Sequence, residues 1–253
     1  MLRSDGKKAA IIETLASSRR WVSGGELAKK LSVSRVAVWK HVKELRRLGY
    51  VIESSRAGYR LIKRPDKPYP WELGGVRAYY VEDTTSTMDV AKALAERGEE
   101  QAVVIAGRQE KGRGRMGRSW LSPEGGFYAS LILRPRMRVQ DSGLLARHVA
   151  SRVAGVLGSY GAEPDLLGNN FYFKGRKLGG VLVEVEGELD VLRFAIVGIG
   201  VNVNNPVPEG AVSLREILGR RVSLLDFARR VVEALALRGM DVDKAERDLA
   251  LLR

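Results

Sequence analysis

Between Gln109 and Trp120 the chain reads QEKGRGRMGRSW, so that Gly112, Gly114 and Gly117 are interleaved with Arg113, Arg115 and Arg118. Glycine lets a backbone adopt positive φ and come close to a bound molecule. Guanidinium groups keep their charge and offer forked donors that suit phosphate or carboxylate. Gln109 both donates and accepts hydrogen bonds, and Trp120 offers a flat face for stacking. Together these residue types could hold a phosphate-bearing, adenine-containing ligand. A basic surface loop or a nucleic-acid-binding Arg-Gly segment has a similar composition. Such segments lie in disordered tails, however, and this one is pinned between two apolar runs, VVIAG at 103–107 and FYASLIL at 127–133.

Those two runs need a folded domain around them, and 253 residues allow one large domain or a small one plus a medium one. With 45% hydrophobic and 29% charged residues, the composition is that of a globular protein. The lack of cysteine excludes disulfides and thiolate metal sites, and His41 and His148 are too far apart to mark a structural zinc site. No apolar stretch approaches the ~20 residues of a membrane span, and the N-terminus MLRSDGKKAA lacks an apolar signal core. A cytoplasmic protein without membrane contact is expected. The net charge of +13 is concentrated at one end: residues 1–75 hold 17 Lys+Arg against 7 Asp+Glu, and the rest hold 26 against 23. A basic N-terminal part points to nucleic acid.

The pattern there agrees. Residues 7–17 put Ala10, Ile11, Thr14 and Leu15 on one helical stripe, and Ser23 caps a short helix from Glu26 to Lys30. Ser34 caps a third helix, RVAVWKHVKELRRLG, with Val38, His41, Val42, Leu45 and Leu48 on one face and Arg35, Val36, Trp39, Lys40 and Lys43 on the other. His41 reads as a packed residue rather than a switch. Two short β runs, Tyr50–Glu53 and Tyr59–Ile62, flank the turn SSRAG. This is a winged helix-turn-helix pattern over residues 1–64, and its third helix would enter the major groove. Ser34, Arg35, Trp39, Lys40 and Lys43 are the expected DNA contacts, with Arg56 at the wing tip. A winged helix serving only protein interaction is the alternative.

PDKPYPW reads as an extended linker at 65–75, and a second domain is expected over 76–253. It opens with a strand (RAYYVED), a loop (TTST) in which Ser86 and Thr87 either cap a helix or bind an anion, and a helix ended by Gly98. After the Gly/Arg loop come the FYASLILRP strand, a helix from about Ser142 to Tyr160, and a turn region, GAEPDLLGNN. Two strands around Lys174-Gly175, a last strand DVLRFAIVGIGVNVN, and helices from Leu214, Leu224 and Asp243 complete the chain. Strands and helices interleave irregularly, which predicts an α+β domain with a mixed sheet.

Residues LSVSRVAVWKHVKELRRLGY followed by SSRAGYRL resemble the N-terminal domain of biotin protein ligases of the biotin-operon-repressor type. TTSTMDVA, QEKGRGRMGRSW, GRKLGGVLVE and VGIGVNVN resemble, in order and spacing, the catalytic domain of that family, whose fold is related to class II aminoacyl-tRNA synthetases. The resemblance covers nearly the whole chain. It implies a two-step ATP-dependent reaction, with biotinyl-adenylate formed first and the acyl group then passed to a lysine of a biotin carboxyl carrier protein. It also implies Mg²⁺ with the ATP, operator DNA as a second partner, and a homodimer. By the same resemblance Ser86, Thr87, Gln109, Gly112, Arg113, Gly180 and Gly198 hold biotin. Arg115, Arg118, Trp120, Lys177, Asn169 and Asn202 serve the nucleotide, with Lys177 and Arg115 as the catalytic cations; Asn202 reads equally well as a buried residue that satisfies a strand end.

Two departures stand out. Where the family reads Lys-Trp-Pro-Asn-Asp, this chain reads Leu166-Leu167-Gly168-Asn169-Asn170, without the cation and the carboxylate. The family's usual small C-terminal β-barrel is also expected to be absent. A ligase-derived, biotin-sensing transcription regulator with weakened catalysis is therefore the alternative. A lipoate-type acyl ligase is a third reading, disfavoured by the biotin-type Gly/Arg loop.

Overall fold

The computed structural model describes residues 1–188 and 191–235. The expected helix from Asp243 and the expected absence of a C-terminal barrel lie outside the described residues. The chain forms two compact units, one from Ser4 to Lys67 and the other from Met1–Arg3 together with the chain from Pro68 onward. The first strand, β1 (Leu2–Arg3), belongs to the second unit.

In the Ser4–Lys67 unit each helix begins where a side chain satisfies free backbone amides. Asp5 accepts from the amides of Lys7 and Lys8 to start α1 (Gly6–Ser17), Ser23 from Glu26 to start α2 (Gly24–Leu31), and Ser34 from Ala37 to start α3 (Arg35–Arg47). Their inward faces meet in one core of Ile11, Ile12, Leu15, Leu27, Val38, Val42 and Leu45, all at most 2% exposed. β2 (Val51–Ser55) and β3 (Gly58–Lys63) pair antiparallel, with Ser55 opposite Gly58, so Arg56 and Ala57 form the turn. Tyr59 also forms an isolated antiparallel bridge with Val22.

The second unit is built on an eight-stranded sheet in the order β1-β4-β5-β6-β10-β9-β8-β7. Its strands are β4 (Ala78–Thr84), β5 (Ala102–Gln109), β6 (Phe127–Leu133), β7 (Asp165–Leu167), β8 (Asn170–Phe173), β9 (Arg176–Glu188) and β10 (Val191–Val201). β4 and β5 run parallel and the other neighbours antiparallel, so the sheet is mixed as expected. The helices are α4 (Thr87–Glu96), α5 (Ser142–Ser159), α6 (Leu214–Leu218) and α7 (Leu224–Ala234). α4 buries Met88, Ala91 and Ala95 against Val104, Ile132, Phe194 and Ile196 of the sheet. Phe227 of α7 meets Phe127 of β6 edge-on at 5.4 Å. Because the strands are apolar on both faces, β6 is buried along its whole length.

Two expectations are corrected. The expected turn region 161–170 contains β7, whose pairing partner β8 supplies the ladder that the local sequence does not announce. The expected linker 65–75 is divided between the two units, its residues through Lys67 belonging to the first. From Pro68 the chain is part of the second unit, and its aromatic residues are buried: Tyr69 stacks on Trp71 at 5.2 Å and meets Tyr80 edge-on. Glu72 accepts an ion-paired bond from Arg229 of α7. Apolar area outweighs the extended preference of the prolines here.

Candidate active site and DNA-facing helix

The Gly/Arg loop, the start of α4, the glycines of β9 and β10, and the segment Pro208–Ala211 enclose a cleft of about 690 Å³. At one end a hydrogen-bond chain fixes the direction of every donor. The backbone N–H of Thr87, in the first turn of α4, can only donate, so Gln109 turns its Oε1 toward it, accepting at 2.8 Å, and accepts from Thr87 Oγ1 at 3.0 Å. The Gln109 Nε2 then donates to Ser122 Oγ at 2.9 Å, and Ser130 Oγ donates to Thr87 Oγ1 at 2.8 Å. Ser86 accepts the Met88 amide as helix cap and keeps its own proton to give. The cleft thus meets a ligand with a Ser86 O–H, one remaining Gln109 N–H and one remaining Thr87 lone pair. Ser86 and Thr87 are both nearly fully buried, so a ligand that leaves these groups unpaired binds at a cost of about 1–3 kcal/mol per group.

The loop is ordered by its own backbone. Trp120 N donates to Gly112 O at 2.8 Å and Gly114 N to Arg118 O at 2.7 Å. A Cβ at Gly112 would stand 2.3 Å from the Trp120 carbonyl, so this glycine is required by the turn and does not itself line the cleft. Arg113 lines the cleft and gives three of its N–H groups to Asp89 and Glu184. Arg115 and Arg118 are exposed and line the cleft without an ion-pair partner among the described residues.

The far end is cationic and aromatic. Lys177 extends over the Trp120 ring, and burial followed by the nearby Arg118 charge holds its pKa below the ordinary lysine value. The indole Nε1 of Trp120 is buried with no hydrogen-bond partner among the described residues. It rests on Gly200, where a Cβ would come within 2.7 Å. Gly180, Gly198 and Asn170 line the cleft. Glu209 is the one carboxylate among the described lining residues.

Asn169 and Asn202 differ in their relation to the cleft. Asn169 does not line the cleft; its backbone carbonyl accepts from Val181 and so helps β8 meet β9. Asn202 touches the cleft, but its amide donates to the carbonyls of Lys177 and Val212 while its oxygen accepts from Asn205. That is the strand-end role.

In the Ser4–Lys67 unit Arg35, Trp39, Lys40 and Lys43 share the exposed face of α3, with Lys43 Nζ 5.0 Å from the Trp39 ring and Trp39 49% exposed. The Arg35 guanidinium lies against Gly25 of α2. Ser34 uses its oxygen as the helix cap, and Arg56 is exposed at the wing turn. His41 is half-buried on the inner face, and its Nδ1 lacks a hydrogen-bond partner among the described residues.

The residues that sequence reading missed are Ser122, Ser130, Asp89, Glu184 and the Pro208–Ala211 segment. A serine in the middle of the apolar run FYASLIL was a usable signal for Ser130; nothing local marked the others.

The HTH domain model matches residues 7–60, and the biotin/lipoate A/B protein ligase family model matches residues 79–202. The bifunctional ligase/repressor BirA of Bacillus spizizenii is 36% identical over 229 residues, 85% of this chain and 70% of that protein. Its Bacillus subtilis counterpart is 36% identical over 241 residues, 87% of this chain and 74% of that protein. Among solved structures, the biotin protein ligase from Aquifex aeolicus in complex with biotin and ATP superposes with a TM-score of 0.54 at 27% identity, over 68% of this chain and 70% of that one.

Proposed function

This chain belongs to the bifunctional ligase/repressor family of those relatives, and from that premise we propose that it activates biotin with ATP, transfers it to a carrier protein, and represses transcription as a biotin-responsive DNA-binding protein. The observation that carries the ligand is the polarity of the Ser86, Thr87 and Gln109 end. A cyclic urea has a carbonyl that takes the Ser86 and Gln109 protons and a ring N–H that Thr87 accepts. The dithiolane ring of lipoate has neither, and would leave all three groups unpaired in a buried place.

With the ureido ring at that end, the carboxylate of biotin points toward Lys177, Arg115 and Arg118. A carboxylate oxygen attacks the α-phosphorus of ATP, the bond to pyrophosphate breaks, and the mixed anhydride biotinyl-adenylate remains. The lysine amine of a biotin carboxyl carrier protein then attacks the acyl carbon and AMP leaves. Fixed cations favour the charge that develops on the phosphoryl oxygens, and the loop over the cleft keeps water from the anhydride. Trp120, which lines the cleft, offers its ring face to the adenine end. Among the described residues no three His, Cys, Asp or Glu side chains gather to hold a metal. Mg²⁺ would enter with ATP, held mainly by phosphate oxygens and water.

The exposed face of α3 and Arg56 supply the positive surface for operator DNA. Two copies on a two-fold operator, with half-sites about one helical turn (~34 Å) or multiples apart, fit such a reader, and we place the protein in the cytoplasm, where both partners are found. No helix among the described residues is long and apolar enough to cross a membrane.

One observation favours the weakened regulator as a second reading: Leu166 and Asn170 stand where the family carries a cation and a carboxylate, and Leu166 is exposed. Against it, the Arg115 guanidinium reaches to 4.0 Å from a Cβ position at Gly168, which brings a loop cation to that same turn. Calorimetry with biotin, with ATP and with both, followed by single-turnover pyrophosphate release, separates the readings. Release on mixing supports the ligase. Tight biotin binding without release supports the regulator, and no biotin binding overturns both.

A further inference from the structure

Val36 is 62% exposed, and a lone valine on a protein surface is ordinary. Its position on α3 is not. At 3.6 residues per turn, Val36, Lys40, Lys43 and Arg47 recur at i, i+4, i+7 and i+11 and share one stripe, opposite the buried Val38, Val42 and Leu45. All four are exposed. The other charged side chains of the helix are turned elsewhere. The Arg35 guanidinium lies against Gly25 of α2, Arg46 Nε donates to the Ile52 carbonyl of β2 at 2.8 Å, and Glu44 pairs with Lys8 of α1 at 3.0 Å. The outermost stripe of α3 is therefore a line of cations headed, in the first turn, by a bare aliphatic side chain.

We propose that Val36 determines sequence specificity by packing on the 5-methyl group of a thymine in the major groove, while Lys40, Lys43 and Arg47 hold phosphates. The inference rests on the DNA-binding reading of the Ser4–Lys67 unit. A recognition helix meets base edges with its N-terminal residues, which is where Val36 stands. A side chain without donor or acceptor cannot read the hydrogen-bonding groups of a base pair. The one apolar group that the four bases present in the major groove is the thymine methyl, so that is the feature a valine distinguishes. Cations on the same stripe bind phosphate regardless of sequence and set the register of the helix. A partner protein could also cover an exposed valine, but a line of three basic residues behind it suits a polyanion.

The test uses the full chain with biotin and ATP present. Duplexes are selected by the parent from a random-sequence pool, and in the tightest of them each thymine is replaced in turn by deoxyuridine, which lacks only the 5-methyl group. Fluorescence anisotropy gives the affinities. At one thymine of each half-site the replacement should weaken parent binding by about three- to fivefold, the scale of one methyl group removed from water. Val36→Ala should show a similar loss on the thymine duplex and no further loss on the deoxyuridine duplex, because changes at the two ends of one contact are not additive. Val36→Thr, which keeps one methyl, should retain part of the thymine preference. The uncharged Val36→Ala exchange should leave the slope of log affinity against log salt as in the parent, whereas Lys43→Ala should lower that slope and keep the thymine preference. A parent indifferent to deoxyuridine at every thymine, or a Val36→Ala variant that keeps the preference, would overturn the role of Val36 and leave the DNA reader in place. A parent that enriches no sequence and binds no duplex would overturn the DNA-binding reading, and the Val36 contact with it.

Discussion

The ammonium of Lys177 lies 5.3 Å from the centroid of the Trp120 ring. The lysine is held there from its backbone, since its N–H donates to Gly210 O at 2.9 Å and its carbonyl accepts from Val212 N at 3.0 Å. A strand position fixed on both sides presents the cation to the cleft, where it has no carboxylate partner among the described residues.

Proton linkage tests whether that cation meets the anion. Burial first, and the Arg118 charge second, hold the Lys177 pKa below the ordinary lysine value in the free protein. A bound phosphate or carboxylate offsets the Arg118 field and raises it again. In mildly alkaline buffer, binding of biotinyl-adenylate should therefore take up protons. Calorimetry in two buffers of different ionisation heat measures the uptake. Lys177→Arg should abolish it, and no uptake in the parent would place Lys177 away from the anion.

Gln109→Ala removes the acceptor for the Thr87 amide and the remaining Nε2 proton. The buried amide is left unsatisfied, and biotin affinity should fall by about 1–3 kcal/mol. Arg115→Ala should speed the release of preformed biotinyl-adenylate. Stopped-flow binding and release measure both. Parental behaviour from the two variants would move the ligand site elsewhere.

The Leu166–Asn170 turn, which lacks the family's two charges, should limit the rate of adenylation. Leu166→Lys combined with Asn170→Asp should raise single-turnover pyrophosphate release by up to about 10²-fold, the scale of one preorganised charge at a reacting centre, with little change in biotin affinity. A parent that already releases pyrophosphate as fast as the variant would show that Arg115 and Lys177 suffice.

Lys40→Ala and Lys43→Ala on the exposed face of α3 should weaken binding to operator and non-operator DNA alike. Every lysine that neutralises a phosphate should, once removed, lower the slope of log affinity against log salt by about 0.9. Fluorescence anisotropy across a salt series reads this, with biotin affinity as an unaffected control. An unchanged slope would remove α3 from the DNA interface.

Much of this was legible in the chain. The caps at Ser23 and Ser34, the stripe of Val38, Val42 and Leu45, and the loop between two apolar runs are all short-range patterns. They depend on contacts within a turn or on strand alternation, which local sequence specifies. Pro68–Trp71 misled because proline's backbone preference is local, whereas the burial of Tyr69 and Trp71 depends on Tyr80. β7 was missed because three residues become a strand only when β8 lies beside them.

What the sequence alone determined is the inventory: two modules, a basic reader, and a loop with the donors and cations for an anionic ligand. Tertiary structure decided how that inventory is used. Arg113 is joined to Glu184 across 71 residues, Thr87 to Ser130 across 43, and Lys177 to the Pro208–Ala211 segment through its backbone. The direction of a hydrogen bond and the partner of a charge depend on which groups meet in space. Several partners of the same type are available to each residue along the chain, so only packing of the sheet and its helices selects among them.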